Sequence, residues 1–192
     1  MQERIKILET KVLSDNWYVL RKITYEYQLK NGKWLTQNRE AYDRGNGAVI
    51  LLYNPQQRTV ILTRQLRMPT FLNGNPTGML IEACAGLLDE DNEEDAIRRE
   101  TEEETGYHIS EVRKIFEAYM SPGSVTEILH FFVAEYTPDQ KRSQGGGVDE
   151  HEDIEVLELD FQQALGMVKS GEIRDAKTIM LLQYAELNGL MN

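Results

Sequence analysis

The chain has 192 residues, of which 41% are hydrophobic and 28% are charged. This mix excludes an intrinsically disordered chain, because disordered sequences lack the apolar surface that offsets chain entropy. A spanning helix is also excluded, since it needs about 20 mostly apolar residues. The longest uncharged stretch, residues 68–81, has only 14 and includes two prolines and two glycines.

The formal net charge of −11 argues against a nucleic-acid partner, because such partners require clustered lysine and arginine. The acids are concentrated in two segments, residues 89–104 and 149–160, which together carry 17 of the 32. The remainder has 19 bases against 15 acids. A phosphate-bearing substrate is therefore not repelled if cations neutralise these two segments.

Two features of the sequence indicate the compartment. The first twelve residues carry charges where a signal peptide needs an apolar run. Cys84 is the only cysteine, so no intrachain disulfide can form. We expect a cytoplasmic protein that neither crosses nor binds a membrane.

The N-terminal part, between Arg4 and Tyr42, alternates β-branched and aromatic residues with polar ones. This pattern predicts an antiparallel hairpin with its turn at Asn31-Gly32. An isolated hairpin is only marginally stable, so its aromatic side chains must be buried elsewhere. We therefore expect a homodimer in which this appendage packs on the partner chain. The aromatic side chains are Trp17, Tyr18, Tyr25, Tyr27 and Trp34.

Beyond residue 43 the sequence contains dense apolar runs and segments with helical patterning. Dense runs predict strands buried on both faces, and segments with helical patterning predict three helices, the first ended by Gly106. Strands on either side of a helix indicate an α/β domain over residues 44–192, behind a small N-terminal antiparallel β appendage over residues 1–43. The predicted strands cover residues 45–53, 58–66, 79–85, 112–119 and 128–136, and the predicted helices residues 93–105, 161–169 and 175–188.

The first predicted helix places Glu100, Glu103 and Glu104 within an arc of about 100°. Like charges at this spacing each cost a few tenths of a kcal/mol, and acids in the last turn oppose the helix dipole by roughly 0.3 to 1 kcal/mol. A solvated acidic face is the alternative explanation for such a charge run. Acidic side chains that destabilise their own helix are expected at a functional site.

The residues around this helix form a specific pattern. Gly86, an acidic loop, and then Arg99-Glu100-Thr101-Glu102-Glu103-Glu104-Thr105-Gly106-Tyr107 resemble the signature of the Nudix hydrolases, G-x5-E-x7-R-E-U-x-E-E-x-G-U, in which U is aliphatic. Two departures are present. The span from Gly86 to Arg99 is one residue short, so Asp91, Asn92 and Glu93 compete for the first glutamate. Thr101 also stands where an aliphatic residue is usual.

The resemblance implies a Nudix α/β/α sandwich with a mixed sheet, and a site for divalent cations, usually Mg²⁺ with Mn²⁺ as a possible substitute. Oxygen ligands completed by water and substrate phosphate suit this ion. Glu103 would be a further ligand or a support, and Arg99 would orient a glutamate through a salt bridge. The implied metal ligands are the Ala85 carbonyl, Glu100, Glu104 and Glu152.

Five further segments resemble the ADP-sugar pyrophosphatase branch of the family: residues 39–54, 63–75, 82–89, 119–136 and 171–184. In that branch the catalytic base lies on a later acidic loop, which implies Glu152 here, with Glu150 and Glu155 as alternatives. Trp17 and Arg39 would then serve the other subunit of a dimer. The implied substrate-binding residues are Trp17, Arg39, Glu40, Arg67, Ala85, Gly86, Glu127 and Lys177.

The implied activity is Mg²⁺-dependent hydrolysis of the pyrophosphate bond of a nucleotide sugar. GDP-mannose, giving GMP and mannose 1-phosphate, is the expected substrate. ADP-ribose or another nucleotide sugar is the alternative. A sensor that binds a nucleotide sugar without cleaving it is the alternative from another class. The sequence leaves open which phosphorus is attacked and how many ions act.

Overall fold

The computed structural model describes residues 4–88, 91–148 and 151–191. The chain divides into two compact units. The first is formed by residues 4–46 and 119–128, and the second by the other described residues. The segment 119–128 lies far along the chain from the appendage predicted to end at residue 43. Its membership of the first unit was not anticipated from the sequence.

The first unit is a three-stranded antiparallel sheet in the order β1-β2-β3. The strands are β1 Ile5–Asp15, β2 Val19–Gln28 and β3 Trp34–Asp43. The predicted hairpin is β2 and β3, and its turn contains Gly32 in the left-handed region at a φ of 83°, as the Asn-Gly pair predicted. The hairpin prediction was wrong in strand number, because the alternating pattern of residues 5–15 belongs to a separate strand.

The segment 119–128 is held to the end of β3 by backbone hydrogen bonds. The Tyr42 amide donates to the Ser124 carbonyl at 2.7 Å, and the Thr126 amide donates to the Tyr42 carbonyl at 3.1 Å. One amide of β3 and one amide of the segment therefore fasten the Ser121-Pro122-Gly123 loop to the sheet.

In the described part of the second unit, one mixed sheet of seven strands is accompanied by four helices. The strand order is β10-β5-β4-β9-β8, with β6 pairing with β5 and β7 pairing with β4. The strands are β4 Gly47–Asn54, β5 Thr59–Leu66, β6 Met79–Glu82, β7 Ala85–Leu87, β8 Arg113–Tyr119, β9 Ile128–Glu135 and β10 Glu155–Asp160. The helices are α1 Met68–Leu72, α2 Glu93–Thr105, α3 Phe161–Ser170 and α4 Ala176–Leu187.

Strand β4 lies at the centre of the sheet, and every one of its residues is buried. It runs parallel to β9 and antiparallel to β5 and β7. Ile50 and Leu52 belong to the core cluster that includes Ile97 of α2. Alternate residues of a strand face opposite sides, so Val49 and Leu51 face the other layer. The predicted α/β fold with a mixed sheet and an N-terminal antiparallel sheet is thereby confirmed.

Three features of the second unit differ from the sequence prediction. The predicted strand 79–85 is two strands, because the chain leaves β5 after Glu82 and pairs with β4 from Ala85 onward. Strand β10 begins at Glu155, although Glu155 was predicted to share one acidic loop with Glu152, and the five-residue α1 was not predicted. Among the described helices, none is long and apolar enough to cross a bilayer.

Candidate active site

Helix α2 begins and ends where the sequence predicted. The Asn92 side chain caps its N-terminus by accepting from the Glu94 amide at 3.2 Å and the Asp95 amide at 3.0 Å. Gly106 ends it at a φ of 78°, with its amide donating to the Glu102 carbonyl at 2.9 Å. Of the three residues that competed for the first signature position, Asn92 is therefore the helix cap.

Thr101, which replaces the usual aliphatic residue, is fully buried in α2. Its hydroxyl donates to the Ile97 carbonyl at 2.6 Å. A buried hydroxyl is costly only when it lacks a hydrogen-bond partner. The helix therefore tolerates this departure from the pattern without exposing or displacing a carboxylate.

Glu100 of α2 lies directly against the backbone of Gly86 in β7. A Cβ atom added at Gly86 would overlap the Glu100 carboxyl group. Strand β7 is held in place by pairing Gly86 with Ala48 of β4. Glycine is needed here because only a residue without a side chain lets the carboxylate approach the strand so closely.

Glu104, one turn further along α2, is buried with only 5% of its surface exposed. Its Oε2 atom has no hydrogen-bond partner among the described residues. The pKa of Glu104 is raised to about 7, because burial, with the charge of Glu100, outweighs the lowering effect of the Cys84 thiol, Arg67 and the Ala85 amide. A carboxylate oxygen buried without a partner is the arrangement that a bound cation would satisfy.

Arg99 contacts the other two carboxylates of this face. Its Nη1 donates to Glu100 Oε1 at 3.0 Å and to Glu103 Oε2 at 3.4 Å. Burial raises the pKa of Glu100, with Arg99 opposing and Glu103 and Glu152 reinforcing the rise. In the described ranges no three acidic, histidine or cysteine side chains converge as a ready-made metal site. The carboxylates therefore form a partial set that water or substrate oxygens would have to complete.

A glycine loop ties Glu152 to the same helix. The Gly146 amide donates to the Glu104 carbonyl at 2.9 Å, and the Gly147 amide donates to the Glu103 carbonyl at 3.1 Å. These bonds satisfy carbonyls at the C-terminal end of α2, which the helix itself leaves open. Glu152 Oε2 accepts from the Val148 amide at 2.8 Å. Since Glu152 also raises the pKa of Glu100, its charge acts on the carboxylate face of α2.

Glu155 and Glu150 are the two alternatives to Glu152 as the catalytic base. Glu155 is the first residue of β10 and forms an ion pair with Arg64 of β5 at 2.5 Å. It is therefore fixed in the sheet rather than on the loop. Glu150 lies outside the described residues. Beside the loop is a cleft of about 650 Å³, lined by Arg99, Glu102, Glu103, Ser143, Gly145, Gly147 and Val148.

A second charged cluster unites two residues that the sequence analysis named separately. Arg67, at the end of β5, donates from Nε to Glu82 Oε2 at 2.6 Å. Lys177 of α4 donates from Nζ to Glu82 Oε1. The Glu82 side chain is only 4% exposed. The sequence analysis missed Glu82, although a lone carboxylate in the apolar run 79–85 is a usable signal, because a buried acid needs a cationic partner.

Asp175 connects this cluster to the backbone next to Ala85. Asp175 Oδ2 accepts from the Thr178 amide at 2.9 Å and from the Thr178 hydroxyl at 2.6 Å, which caps α4. The Thr178 hydroxyl in turn accepts from the Ala83 amide at 2.6 Å. The link between β6 and β7, which leads to Ala85, is therefore anchored to α4.

Four of the expected substrate-binding residues lie in the first unit: Trp17, Arg39, Glu40 and Glu127. The indole of Trp17 is 86% exposed, so it is available to stack on a ring. Arg39 and Glu40 help to line a cleft of about 590 Å³ together with the loop before Glu127. The Glu127 side chain is 12% exposed and lies 3.6 Å from Arg44. Their assignment to substrate remains a prediction.

The contact between Gly86 and Glu100 generates a test. We expect Gly86→Ala to displace the Glu100 carboxylate and to lower kcat by about 100-fold, because a shift near 1 Å can cost that much. Steady-state hydrolysis assays with a nucleotide sugar would measure it. Gly166→Ala is the matched control, since a Cβ there meets nothing within 4 Å and alanine favours the helix by about 0.5–1 kcal/mol. Equal activity of the two variants would contradict the assigned contact.

Two family models match the chain. The one described as GDP-mannose pyrophosphatase NudK N-terminal domain matches residues 4–42, and the one described as NUDIX domain matches residues 43–182. The second match covers the mixed sheet, α2 and the cluster around Glu82.

Curated relatives match over the whole chain and over their own whole length. A GDP-mannose pyrophosphatase of Salmonella arizonae is 58% identical over 191 residues, and one of Escherichia coli K12 is 56% identical over 192. A solved structure described as an ADP compounds hydrolase covers 98% of both chains with a TM-score of 0.71 at 15% identity, which shows a shared fold. The signature on β7 and α2, the two family matches and these relatives together show that the chain belongs to the Nudix hydrolase family.

Proposed function

We propose that this protein is a Mg²⁺-dependent hydrolase that cleaves the pyrophosphate bond of GDP-mannose to GMP and mannose 1-phosphate. The observation that carries the proposal is the buried Oε2 of Glu104, which has no hydrogen-bond partner among the described residues. It lies on the same helix as Glu100, whose carboxyl group lies against the backbone of Gly86. The curated relatives named GDP-mannose pyrophosphatase support the choice of substrate. The single buried cysteine, Cys84, is consistent with the cytoplasm that we propose as its location.

The residues of the carboxylate face fit a divalent cation, which Nudix hydrolases generally need. In our proposal the Ala85 carbonyl, Glu100, Glu104 and Glu152 hold Mg²⁺, with Mn²⁺ as a substitute. Such an ion supplies shielding of the diphosphate charge and polarises the attacking water. Arg99 keeps Glu100 and Glu103 on the same side of α2. Burial and neighbouring negative charges raise the pKa of Glu100 and Glu104, and a dication would offset both effects.

Glu152 is the proposed general base, which takes the proton of the attacking water. The amides of Gly146 and Gly147 bond to the carbonyls of Glu104 and Glu103. The Glu152 carboxylate accepts from the neighbouring Val148 amide, which supports its proposed place beside the carboxylate face. Glu155 is less suited, because Arg64 holds it in the sheet. The charge that develops on the leaving phosphate would be received by Arg67.

The proposed substrate contacts are of two kinds. Arg67, Lys177 and the backbone at Ala85 and Gly86 would receive the phosphates, because guanidinium and ammonium groups bind phosphate strongly. Trp17 would stack on the guanine, and its large exposed face supports this role. The polar contacts to nucleoside and sugar are assigned to Arg39, Glu40 and Glu127.

The substrate can be tested with a panel of nucleotide sugars in ¹⁸O-labelled water, read by phosphorus NMR. We expect GDP-mannose to have the highest kcat/KM, because the purine and sugar contacts decide specificity. The ¹⁸O shift reports which phosphorus is attacked. A higher kcat/KM for ADP-ribose or another nucleotide sugar would replace the proposed substrate. Tight binding without hydrolysis in Mg²⁺ or Mn²⁺ would indicate a sensor instead.

Two substitutions test the proposed base Glu152, which is also a proposed metal ligand, and the proposed metal ligand Glu104. Glu152→Gln removes the base and should lower kcat by about 10² to 10⁴. Glu104→Gln removes a metal ligand and should lower kcat at least as much, with weaker Mg²⁺ binding in a metal titration. EDTA should abolish turnover and excess Mg²⁺ should restore it. Glu111→Gln, an exposed residue outside both charged clusters, is the control. Near wild-type turnover of Glu104→Gln at saturating Mg²⁺ would refute the metal assignment.

We also propose that the protein is a homodimer. Strand β1 exposes five apolar side chains, those of Ile5, Ile7, Leu8, Val12 and Leu13, each between 42% and 62% exposed. The two isoleucines line an apolar groove of about 550 Å³ with residues of β2. Contiguous apolar surface of this kind is typical of an interface. A second copy of the chain would bury it.

The dimer proposal is tested by light scattering on the purified protein. Ile7→Asp should convert the dimer to a monomer, because burying an unpaired carboxylate in an apolar interface costs several kcal/mol. Leu187→Asp, which changes an exposed leucine in the second unit, should leave the mass unchanged. A wild-type chain with the mass of a monomer would contradict the proposal.

A further inference from the structure

Glu82 occupies a position that fold stability alone does not explain. Its side chain is 4% exposed and bonded by two cations from different elements, Arg67 at the end of β5 and Lys177 in α4. A buried carboxylate that is paired with cations is often no more stable than apolar residues of the same volume. A buried carboxylate with two cations therefore indicates that the cations have a functional role and not only a structural one.

Arg67 keeps donors available while Glu82 orients it. Among the hydrogen bonds of the described residues, the Arg67 guanidinium uses only Nε, which donates to Glu82. Its two Nη nitrogens carry four further N–H donors in a rigid plane. The Arg67 side chain is 40% exposed. One edge of the plane is thus held by a buried acid, and the rest can receive an anion from solvent.

Lys177 is held in the same way. Its ammonium donates to Glu82 Oε1 and to Asp175 Oδ1, the latter at 2.8 Å, and an ammonium has three donors. Lys177 lies in the first turn of α4, where the helix dipole disfavours a positive charge. Asp175 already caps the helix through Thr178. The helix therefore gains nothing from a lysine at this position.

We propose that Glu82 is a positioning residue that fixes Arg67 and Lys177 as a pair, so that together they receive the two charged phosphates of the substrate. The inference rests on the proposed function only in naming a nucleotide sugar as the ligand. Each cation comes from a separate element, and Glu82 is the group that both of them contact.

The test is Glu82→Gln, which preserves the shape and one carbonyl acceptor but removes the charge. We expect KM for GDP-mannose to rise about tenfold while kcat stays within about twofold, because binding is lost equally in the ground and transition states. Glu117→Gln, an acid paired with Lys114 outside both clusters, should change neither constant. A fall in kcat with unchanged KM would contradict the positioning role.

A double-mutant cycle shows whether Glu82 acts through Lys177. We expect Glu82→Gln combined with Lys177→Met to raise KM by less than the product of the two single effects, since coupled residues are not additive. A rise equal to that product would overturn the inference. If Glu82→Gln does not fold, Glu82→Asp takes its place, because it keeps the charge but shortens the reach. Its KM should also rise, and an unchanged KM would refute the role.

A binding measurement separates this inference from the proposed function. The affinity of inorganic pyrophosphate, measured by calorimetry at one saturating Mg²⁺ concentration, should fall about tenfold in Glu82→Gln and stay unchanged in Glu117→Gln. If the wild-type chain does not hydrolyse GDP-mannose but this loss is seen, the proposed function fails and the inference stands. If it hydrolyses GDP-mannose and Glu82→Gln changes neither KM nor this affinity, the inference fails.

Discussion

The second unit depends on the close packing of acidic side chains against a strand that has no side chain at the point of contact. Glu100 lies on the Gly86 backbone, and Glu104 is buried with one oxygen that has no hydrogen-bond partner in the part of the chain that the structure describes. Burial and mutual repulsion raise the pKa of both carboxyls. This arrangement is unfavourable for an isolated protein. It becomes favourable when a dication supplies the missing charge.

The surrounding elements hold this arrangement from several sides. Asn92 and Gly106 set the ends of α2, and the amides of Gly146 and Gly147 bond to its last carbonyls. Thr178 anchors the turn that leads to Ala85. Because each contact comes from a different element, the carboxylate face is determined by the packed sheet and not by the helix alone. Preorganised supports of this kind are what an active site needs.

The charges of the second unit fall into two clusters with opposite roles. On α2 the acids outnumber Arg99, so that cluster attracts cations. Around Glu82 two cations share one buried acid, and Arg67 retains donors that face solvent. A diphosphate with its metal ion carries charges of both signs. The two clusters therefore suit the two components of one substrate complex.

Many of these helix and strand positions could be predicted from the local sequence. The bounds of α2 follow from a polar cap, helical spacing of the acids and a glycine, all of which act within a few residues. The buried strands β4 and β5 follow from dense apolar runs, and the Asn-Gly turn of the β2–β3 hairpin follows from its need for positive φ. Local patterns did not predict four features: the separate β1, the break before β7, the short α1 and the pairing of β10. Strand partners in particular are chosen by tertiary contacts.

The sequence by itself determined the family signature, the three acids of α2 that share one face and the glycine that ends the helix, since each depends on spacing along one element. Only the tertiary structure decided that Glu104 is the buried member, that Gly86 receives Glu100, and that Glu82 joins Arg67 to Lys177. These residues are up to 95 positions apart. Burial and ion pairing across such distances depend on how the sheet brings its strands and helices together, which no local pattern encodes.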